Sequence, residues 1–282
     1  GFGQTGPYRN RPGYDAIFQA MSGLMAVTGF PDDQPGGGPM KIGPSITDIM
    51  GGTAAVGAIL AALYHRDAGG GPGQYIDVAM LDATVAAMSH HAMYHLISGA
   101  QPPRRGTEGQ AGAGGKVYRC ADGYVAITIG SDAQFHRFCI ALGRPDLAAD
   151  DRFRANRGRA ANAATLFGLI EPIMRALRVA DALVALEKAD IPAGPVYELR
   201  EVFADPQIRA REMEVSVPHP KVGALRMVAN PMRFSETPIK SYTAPPALGQ
   251  HTREVLSGIL HMKADEISSL KDAGVVSLEG EA

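Results

Sequence analysis

The sequence predicts an α/β protein with two domains, and three features of the chain carry this prediction. Apolar segments with helical spacing alternate with a short β-rich segment before residue 100, which is typical of a parallel sheet covered by helices. A hairpin pattern begins at residue 117 and is followed by helical segments. A Pro-containing stretch near residue 230 then leads to a terminal helix pair. We expect a large α/β domain of residues 1–105 and 229–282, a Gly-rich linker of residues 106–116, and a small α+β domain of residues 117–228.

The first part of the chain contains three segments with helical periodicity. Residues 14–26 place Ile17, Met21 and Leu24 on one face, although Gly23 weakens the pattern. Residues 48–66 form a second helix, which the sequence AGGGPG ends. Residues 75–78 are predicted to form a strand, and the third helix covers residues 80–96. This alternation indicates a parallel α/β layer.

The middle and the end of the chain have a different pattern of predicted secondary structure. The sequence VYRCADGYVAITIG predicts a β-hairpin that turns at Asp122 and Gly123. Helical segments follow over residues 132–190, and Pro172 is expected to interrupt them. Strands are expected near residues 213–218 and 223–228, and terminal helices near residues 250–260 and 264–273.

Composition and charge argue against several classes of function. The net charge is −2, from 27 basic and 29 acidic residues, so no strong field favours nucleic acid or an anionic membrane. Arg152, Arg154, Arg157 and Arg159 are interpreted as a solvated face, because Asp150 and Asp151 offset their charge. The longest uninterrupted apolar run, residues 54–64, is shorter than the roughly 20 residues that span a bilayer. We expect neither nucleic acid nor a membrane among the partners.

The cysteines and histidines predict no metal site. Cys120 and Cys139 lack CxxC spacing, which fits a reducing, cytoplasmic location. His90, His91 and His95 are close in sequence, but no carboxylate stands at the HExxH spacing.

Asp48 is the strongest candidate for a catalytic residue. It stands in the sequence SITDIMGG, directly before the apolar positions of the second helix. A carboxylate at a helix N-terminus is favoured in its ionised form by the helix dipole. The alternative is that Asp48, Thr47 or Ser45 serves only as a helix N-cap. Position in the sequence does not separate these interpretations.

Several longer motifs give the chain a family resemblance. RPGYDAIFQAMSGLMAVTG is followed by a Gly/Pro-rich loop and an isolated aspartate, and GPGQYIDVAMLDA, IPAGPV, NPMRFSETP and LGQHTREVL follow later. Together these motifs resemble the class III CoA-transferases of the CaiB/BaiF type, the family of the formyl-CoA and carnitine CoA-transferases. The resemblance covers essentially all 282 residues.

The resemblance implies a fold and an activity. It implies a Rossmann-like large domain to which the C-terminal tail returns, and an interlocked homodimer. The family's N-terminal part is expected to be missing before Gly1, which would leave apolar surface exposed on residues 14–26 and 48–66. The implied reaction transfers CoA between an acyl-CoA donor and a small carboxylic acid acceptor, with the CoA thioester as substrate and no permanently bound cofactor. The alternatives are an α-methylacyl-CoA racemase of the same fold and a catalytically silent fragment.

The resemblance also implies roles for individual residues. Asp48 matches the nucleophile, and Pro12, Gly13, Tyr14 and Asp15 match a stretch that lies along the CoA. Gly112, Gly114 and Gly115 are expected to belong to a mobile glycine loop that covers the aspartyl intermediate, or else to a flexible linker.

Tyr14 bears on the choice between transferase and racemase. Related racemases carry a histidine at the matching position, whereas a tyrosine has an ordinary pKa of about 10, which suits α-proton abstraction poorly. We therefore expect transfer and not racemisation. The alternative role of Tyr14 is that of a packed aromatic side chain whose hydroxyl is satisfied.

Overall fold

The computed structural model describes residues 1–109, 114–219 and 221–278. These residues belong to two compact units, Gly1–Val196 and Tyr197–Ala282. These bounds differ from those of the two domains expected from the sequence. The expected large domain of residues 1–105 and 229–282 and the expected small domain of residues 117–228 stay predictions. Gly112 lies outside the described residues.

The described residues of the first unit form ten helices and one small sheet. Its described helices are α1 (Asp15–Met21), α2 (Leu24–Val27), α3 (Ile46–Asp67), α4 (Met80–Ala87), α5 (Ser89–Ser98), α6 (Asp132–Ala141), α7 (Pro145–Ala149), α8 (Asn156–Ala161), α9 (Ala163–Ala176) and α10 (Val179–Lys188). Its strands are β1 (Val117–Arg119), β2 (Tyr124–Ile127) and β3 (Ala193–Pro195). They form an antiparallel sheet in the order β1-β2-β3.

The predicted hairpin is confirmed. Arg119 pairs with Tyr124, and the Cys120 amide donates a hydrogen bond of 2.8 Å to the Gly123 carbonyl, which closes the turn. Side chains from this sheet, α6, α9 and α10 make one continuous core, which includes Val125, Phe138 and Leu186. Burial of these apolar side chains is the main force that holds the sheet and helices together.

Two predictions for the first half of the chain need correction. The predicted helix over residues 14–26 divides into α1 and α2, because Gly23 adopts a φ of +87°, outside the helical range. Residues 75–78 form no strand, since no described segment pairs with them, and a strand without a ladder partner leaves its backbone groups unsatisfied. Both sheets in the described part of the chain are antiparallel.

The prediction that Pro172 interrupts the helical region is wrong. It lies inside α9, which continues to Ala176. Leu166, Ile170 and Met174 recur every four residues on both sides of it and are fully buried. Each such burial contributes about 1.5–3 kcal/mol, and together they exceed the cost of about 3 kcal/mol for a proline within a helix.

Helix α3 is long, apolar and largely exposed. It has 22 residues with a mean hydropathy of 1.7 over its most apolar window, of which 11% is buried. Exposed side chains such as Ile49 and Leu60 agree with the apolar surface expected on residues 48–66. By length and composition α3 is the one described helix that meets the requirement for crossing a membrane, a test that core helices also pass. The expectation of no membrane partner stays a prediction.

The second unit contains a hairpin and short helices. Its described elements are α11 (Leu199–Val202), α12 (Pro206–Ala210), β4 (Glu214–His219), β5 (Gly223–Val228), α13 (Thr252–Glu254), a π-helical segment (Val255–Ile259) and α14 (Ala264–Asp272). Strands β4 and β5 pair antiparallel from Glu214 with Val228 to His219 with Gly223. The two strands and the helical character of the C-terminal part are confirmed.

The arginine-rich segment is only partly a solvated face. Arg152 and Arg154 pair with Asp150 and Asp151 and are exposed, as predicted. The interpretation is wrong for Arg159, which is 1% exposed. Its guanidinium donates to the carbonyls of Phe153 and Arg154, at 3.0 and 3.2 Å, and to the Asp132 carboxylate at 2.8 Å. These acceptors offset much of the free-energy cost of burying the cation.

Candidate active site

The first turns of α1 and α3 are joined through the carboxylate of Asp15. Its Oδ1 atom accepts hydrogen bonds of 3.1 Å from both the amide and the hydroxyl of Thr47. Its Oδ2 atom accepts a hydrogen bond of 2.8 Å from the Gln19 side-chain amide, one turn further along α1. Thr47 is completely buried, and the Asp15 side chain is 12% exposed. The contact therefore fixes the beginning of α3 against α1.

Gln19 and Lys41 complete this cluster. The Gln19 side chain accepts a hydrogen bond of 2.9 Å from the Ile42 amide, and Lys41 Nζ lies 3.6 Å from Asp15 Oδ2. Burial raises the pKa of Asp15, but hydrogen bonds from Thr47 and Gln19 and the charge of Lys41 outweigh it. The net pKa of this carboxyl is below its ordinary value, so Asp15 is ionised at neutral pH.

Asp48 follows Thr47 directly and is exposed. It is the third residue of α3, after Ile46 and Thr47. No group in residues 1–109, 114–219 or 221–278 donates a hydrogen bond to its carboxylate, which leaves both oxygens open to a ligand. Of the three residues considered for the N-cap, Ser45 occupies the cap position without a side-chain capping hydrogen bond, and neither Thr47 nor Asp48 occupies it.

Tyr14 lies beside the same junction. It occupies the N-cap position of α1, and its side chain is 83% exposed, so the interpretation as a packed aromatic is wrong. Tyr14 and Asp48 each stand one residue from the hydrogen-bonded pair Asp15 and Thr47. Because consecutive Cα atoms are about 3.8 Å apart, the backbones of Tyr14 and Asp48 lie near each other at this junction.

Pro12 and Gly13 lead into α1. Pro12 is exposed, and Gly13 is packed against the ring of Phe18. A Cβ atom on Gly13 would lie 2.5 Å from the ring, so only glycine permits this approach. Packing thus accounts for Gly13, and contacts of Pro12, Gly13 or Tyr14 with CoA stay predictions.

Gly114 and Gly115 lie in the packed interior. Gly114 adopts a φ of +130°, and its carbonyl accepts a hydrogen bond of 2.9 Å from the Tyr118 hydroxyl. A Cβ atom on Gly115 would lie 2.9 Å from the Ile127 carbonyl oxygen and from the Ile129 amide nitrogen. Among the described residues, no hydrogen bond joins either glycine to Asp48. Their role in covering an intermediate stays a prediction.

Gly115→Ala is expected to lower the free energy of unfolding by about 1–3 kcal/mol, because the added methyl group meets backbone that cannot move aside. Gly168→Ala is the matched control, since Gly168 lies within α9 and a Cβ atom there meets nothing within 4 Å. That change should raise the free energy of unfolding by up to about 1 kcal/mol. Chemical denaturation measures both, and equal effects at the two positions would contradict the packing.

The sequence motifs did not indicate Gln19 or Lys41 as parts of the site, and they indicated Thr47 only as a possible N-cap. The separation of four residues between Asp15 and Gln19 was a visible signal for a helical side-chain pair. The contact between Asp15 and Thr47 joins residues 32 positions apart, and no local pattern indicates it.

Comparisons with known proteins find similarity over most of the chain. The family model of CoA-transferase family III covers residues 1–252. A succinate–glutarate CoA-transferase of Agrobacterium fabrum is 39% identical over 91% of this chain and 63% of its own length. A succinyl-CoA:glutarate CoA-transferase of Mus musculus is 35% identical over 98% of this chain and 62% of its own length. The chain therefore spans less than two thirds of the length of these relatives.

A solved structure is also similar to most of this chain. A CAIB/BAIF family protein from Brucella suis matches with a TM-score of 0.78 and 37% identity, over 92% of this chain and 66% of that one. The resemblance found in the motifs and the predicted fold class are confirmed by these matches. The interlocked homodimer stays a prediction.

Proposed function

Since the chain belongs to CoA-transferase family III, we propose that the protein transfers CoA from an acyl-CoA donor to a carboxylic acid acceptor through Asp48. One observation carries the assignment to this residue. Asp48 is an exposed carboxylate in the first turn of α3, and its neighbour Thr47 is buried and held by Asp15. A nucleophile needs such an accessible atom on a fixed backbone.

The proposed reaction begins with attack of Asp48 on the acyl carbon of the donor. A bond forms between a carboxylate oxygen and the acyl carbon, and the carbon–sulfur bond breaks with release of CoA thiolate. The thiolate then attacks the aspartyl carbonyl of this mixed anhydride, which releases the donor acid and leaves an aspartyl-CoA thioester. Because a carboxylate is already ionised at neutral pH, Asp48 needs no general base.

The second half of the reaction repeats these steps in the opposite order. The acceptor carboxylate attacks the aspartyl-CoA thioester and releases the thiolate, which gives a second mixed anhydride. The thiolate then attacks the acceptor's acyl carbon, which forms the new acyl-CoA and restores Asp48. Each intermediate stays activated, so the energy of the thioester is not lost to hydrolysis when water is excluded.

The acceptor is proposed to be a small carboxylic acid. Relatives are named for succinate and glutarate, and one from Streptomyces coelicolor, 33% identical over 98% of this chain, is a formyl-CoA:oxalate CoA-transferase. Dicarboxylates therefore belong in the first substrate panel. A screen of acyl-CoA donors against carboxylate acceptors, with the full-length protein, tests the reaction class and identifies the pair.

The intermediate provides a direct test of the nucleophile. When the full-length protein is incubated with an acyl-CoA donor and treated with hydroxylamine, a hydroxamate is expected on the peptide that contains Asp48. Peptide mass analysis locates it, since the carboxyl becomes a hydroxamate. A hydroxamate on another carboxylate, or none despite turnover, would refute this function of Asp48.

Tyr14 provides a test against racemisation. We expect no exchange of the α-proton when a 2-methylacyl-CoA is incubated with the protein in deuterated water, because the exposed phenol of Tyr14 is a poor base near neutral pH. Mass spectrometry of the recovered thioester measures the label. Rapid α-deuteration without an acceptor acid would show that the racemase alternative is correct. Tyr14→His is the informative variant, since it introduces a base of ordinary pKa about 6.5.

A further inference from the structure

We propose that Asp15 is a positioning residue, which caps α3 from a different helix and thereby sets the place of the Asp48 carboxylate. This inference rests on the proposed function of Asp48. It assigns Asp15 to the support of the nucleophile and not to a contact with CoA, which the family resemblance implied for this stretch.

The hydrogen-bond pattern at the beginning of α3 identifies the cap. The first amides of a helix have no partner within the helix, and the side chain of the N-cap residue usually accepts from the second or third of them. In α3 the cap residue is Ser45, and its side chain makes no such bond. The amide of Thr47, the second residue of α3, instead donates to Asp15 Oδ1. Asp15 thus performs the capping function from α1.

The cap is itself held from several directions. The Thr47 hydroxyl adds a second bond to Oδ1, while Gln19 and Lys41 contact Oδ2. Gln19 is completely buried and also binds the Ile42 amide, which ties the loop before α3 to the same cluster. The peptide that carries Asp48 therefore begins at a backbone unit fixed by a carboxylate that is 12% exposed and whose two oxygens both have protein partners.

The same geometry argues against contact with a ligand. Both oxygens of Asp15 have protein partners, and the side chain is 12% exposed. CoA is polyanionic, and a carboxylate beside its phosphates would repel it. Asp48, the next residue after Thr47, is by contrast exposed and has no donor among the described residues.

Kinetics of the Asp15→Asn variant test the proposal. Asparagine has nearly the same size but lacks the charge, and its amide group replaces one acceptor oxygen by a donor. We expect kcat to fall by about 10- to 100-fold, the effect of a misplaced reacting group, and KM for the acyl-CoA to stay within about twofold. The rate of hydroxylamine-trapped adduct formation on Asp48 should fall by the same factor. A large rise in KM with unchanged kcat would overturn the proposal in favour of CoA contact.

Two Thr47 variants refine the test and keep it decisive if Asp15→Asn fails to fold. Thr47→Ser keeps both donors and should retain kcat, whereas Thr47→Val keeps the amide, loses the hydroxyl and should lower kcat several-fold. Equal kcat for the two variants overturns the proposal. If Asp15→Asn is folded, combining it with Thr47→Val should cost less than the product of the single effects, because both act on one contact. Independent effects would contradict the shared mechanism.

Asp181→Asn is the matched control. Asp181 lies in the first turn of α10, as Asp15 lies in that of α1, but it is exposed and outside this cluster. Its substitution should leave kcat unchanged.

Adduct formation on Asp48 separates the positioning role of Asp15 from the proposed function. Absence of an adduct on Asp48 in the unmodified protein refutes the proposed function, whereas normal adduct formation in Asp15→Asn refutes only the positioning role.

Discussion

Asp48→Asn is expected to lower kcat by roughly three orders of magnitude or more, the largest effect of any single substitution in this protein. An amide oxygen is a far weaker nucleophile than a carboxylate, and the aspartyl anhydride cannot form from it. Folding should be preserved, because Asp48 is exposed and no described group donates to its side chain. The thermal midpoint should change little. Steady-state kinetics with the best donor and acceptor pair measure the loss.

Asp67→Asn is the control at the other end of the same helix. Asp67 is the last residue of α3 and pairs with the adjacent Arg66 on the surface. Its loss should leave kcat within about twofold, since exposed pairs of this kind contribute little. A near-normal rate for Asp48→Asn would refute the nucleophile. A slow recovery of activity during incubation with substrates would instead indicate deamidation back to aspartate, which mass analysis detects.

Arg159→Ala is expected to give the largest loss of stability, about 3–5 kcal/mol. The substitution leaves a cavity below the Phe135 ring, which the guanidinium covers at 4.5 Å from the ring centroid. It also removes the donors to the carbonyls of Phe153 and Arg154. Chemical denaturation should show a lower midpoint, and the thermal midpoint should fall on the order of 10 °C.

The control for this prediction is Arg154→Ala. Arg154 belongs to the same arginine-rich segment, but its side chain is exposed and pairs with the exposed Asp151. The free energy of unfolding should change by at most about 0.5 kcal/mol. Equal destabilisation by the two substitutions would contradict the burial of Arg159. A selective effect at Arg159 would show that this arginine is buried in the protein interior, unlike Arg154 in the same segment.

The elements predicted correctly are those that short-range chemistry decides. The hairpin of β1 and β2 follows from Asp122 and Gly123 between apolar strands, and α3 follows from the helical spacing of its apolar residues. Asp48 is proposed from its place before that helix together with the motifs around it, and its role stays a prediction. The hairpin and helix signals are properties of contiguous residues, so neither partner choice nor packing is needed to read them.

Three of the errors share one cause, which is that residues outside the local pattern decide the outcome. Pro172 lies inside α9 because the buried residues on both sides stabilise the helix more than proline disfavours it. Residues 75–78 have a strand pattern, but no described strand pairs with them. Arg159 has the same type of local sequence as its exposed neighbours, and its partner Asp132 lies 27 positions earlier.

The sequence by itself determined the family, several of the local elements and the choice of candidate nucleophile, because motifs and periodicity are properties of contiguous residues. Only the tertiary structure decided how that nucleophile is held. The hydrogen bonds from Thr47 to Asp15 span 32 positions and form only after α1 and α3 have packed together. Asp15, which the sequence presents as one more residue beside CoA, is thereby largely removed from solvent and hydrogen-bonded through both oxygens at the beginning of α3, while Asp48 is left exposed.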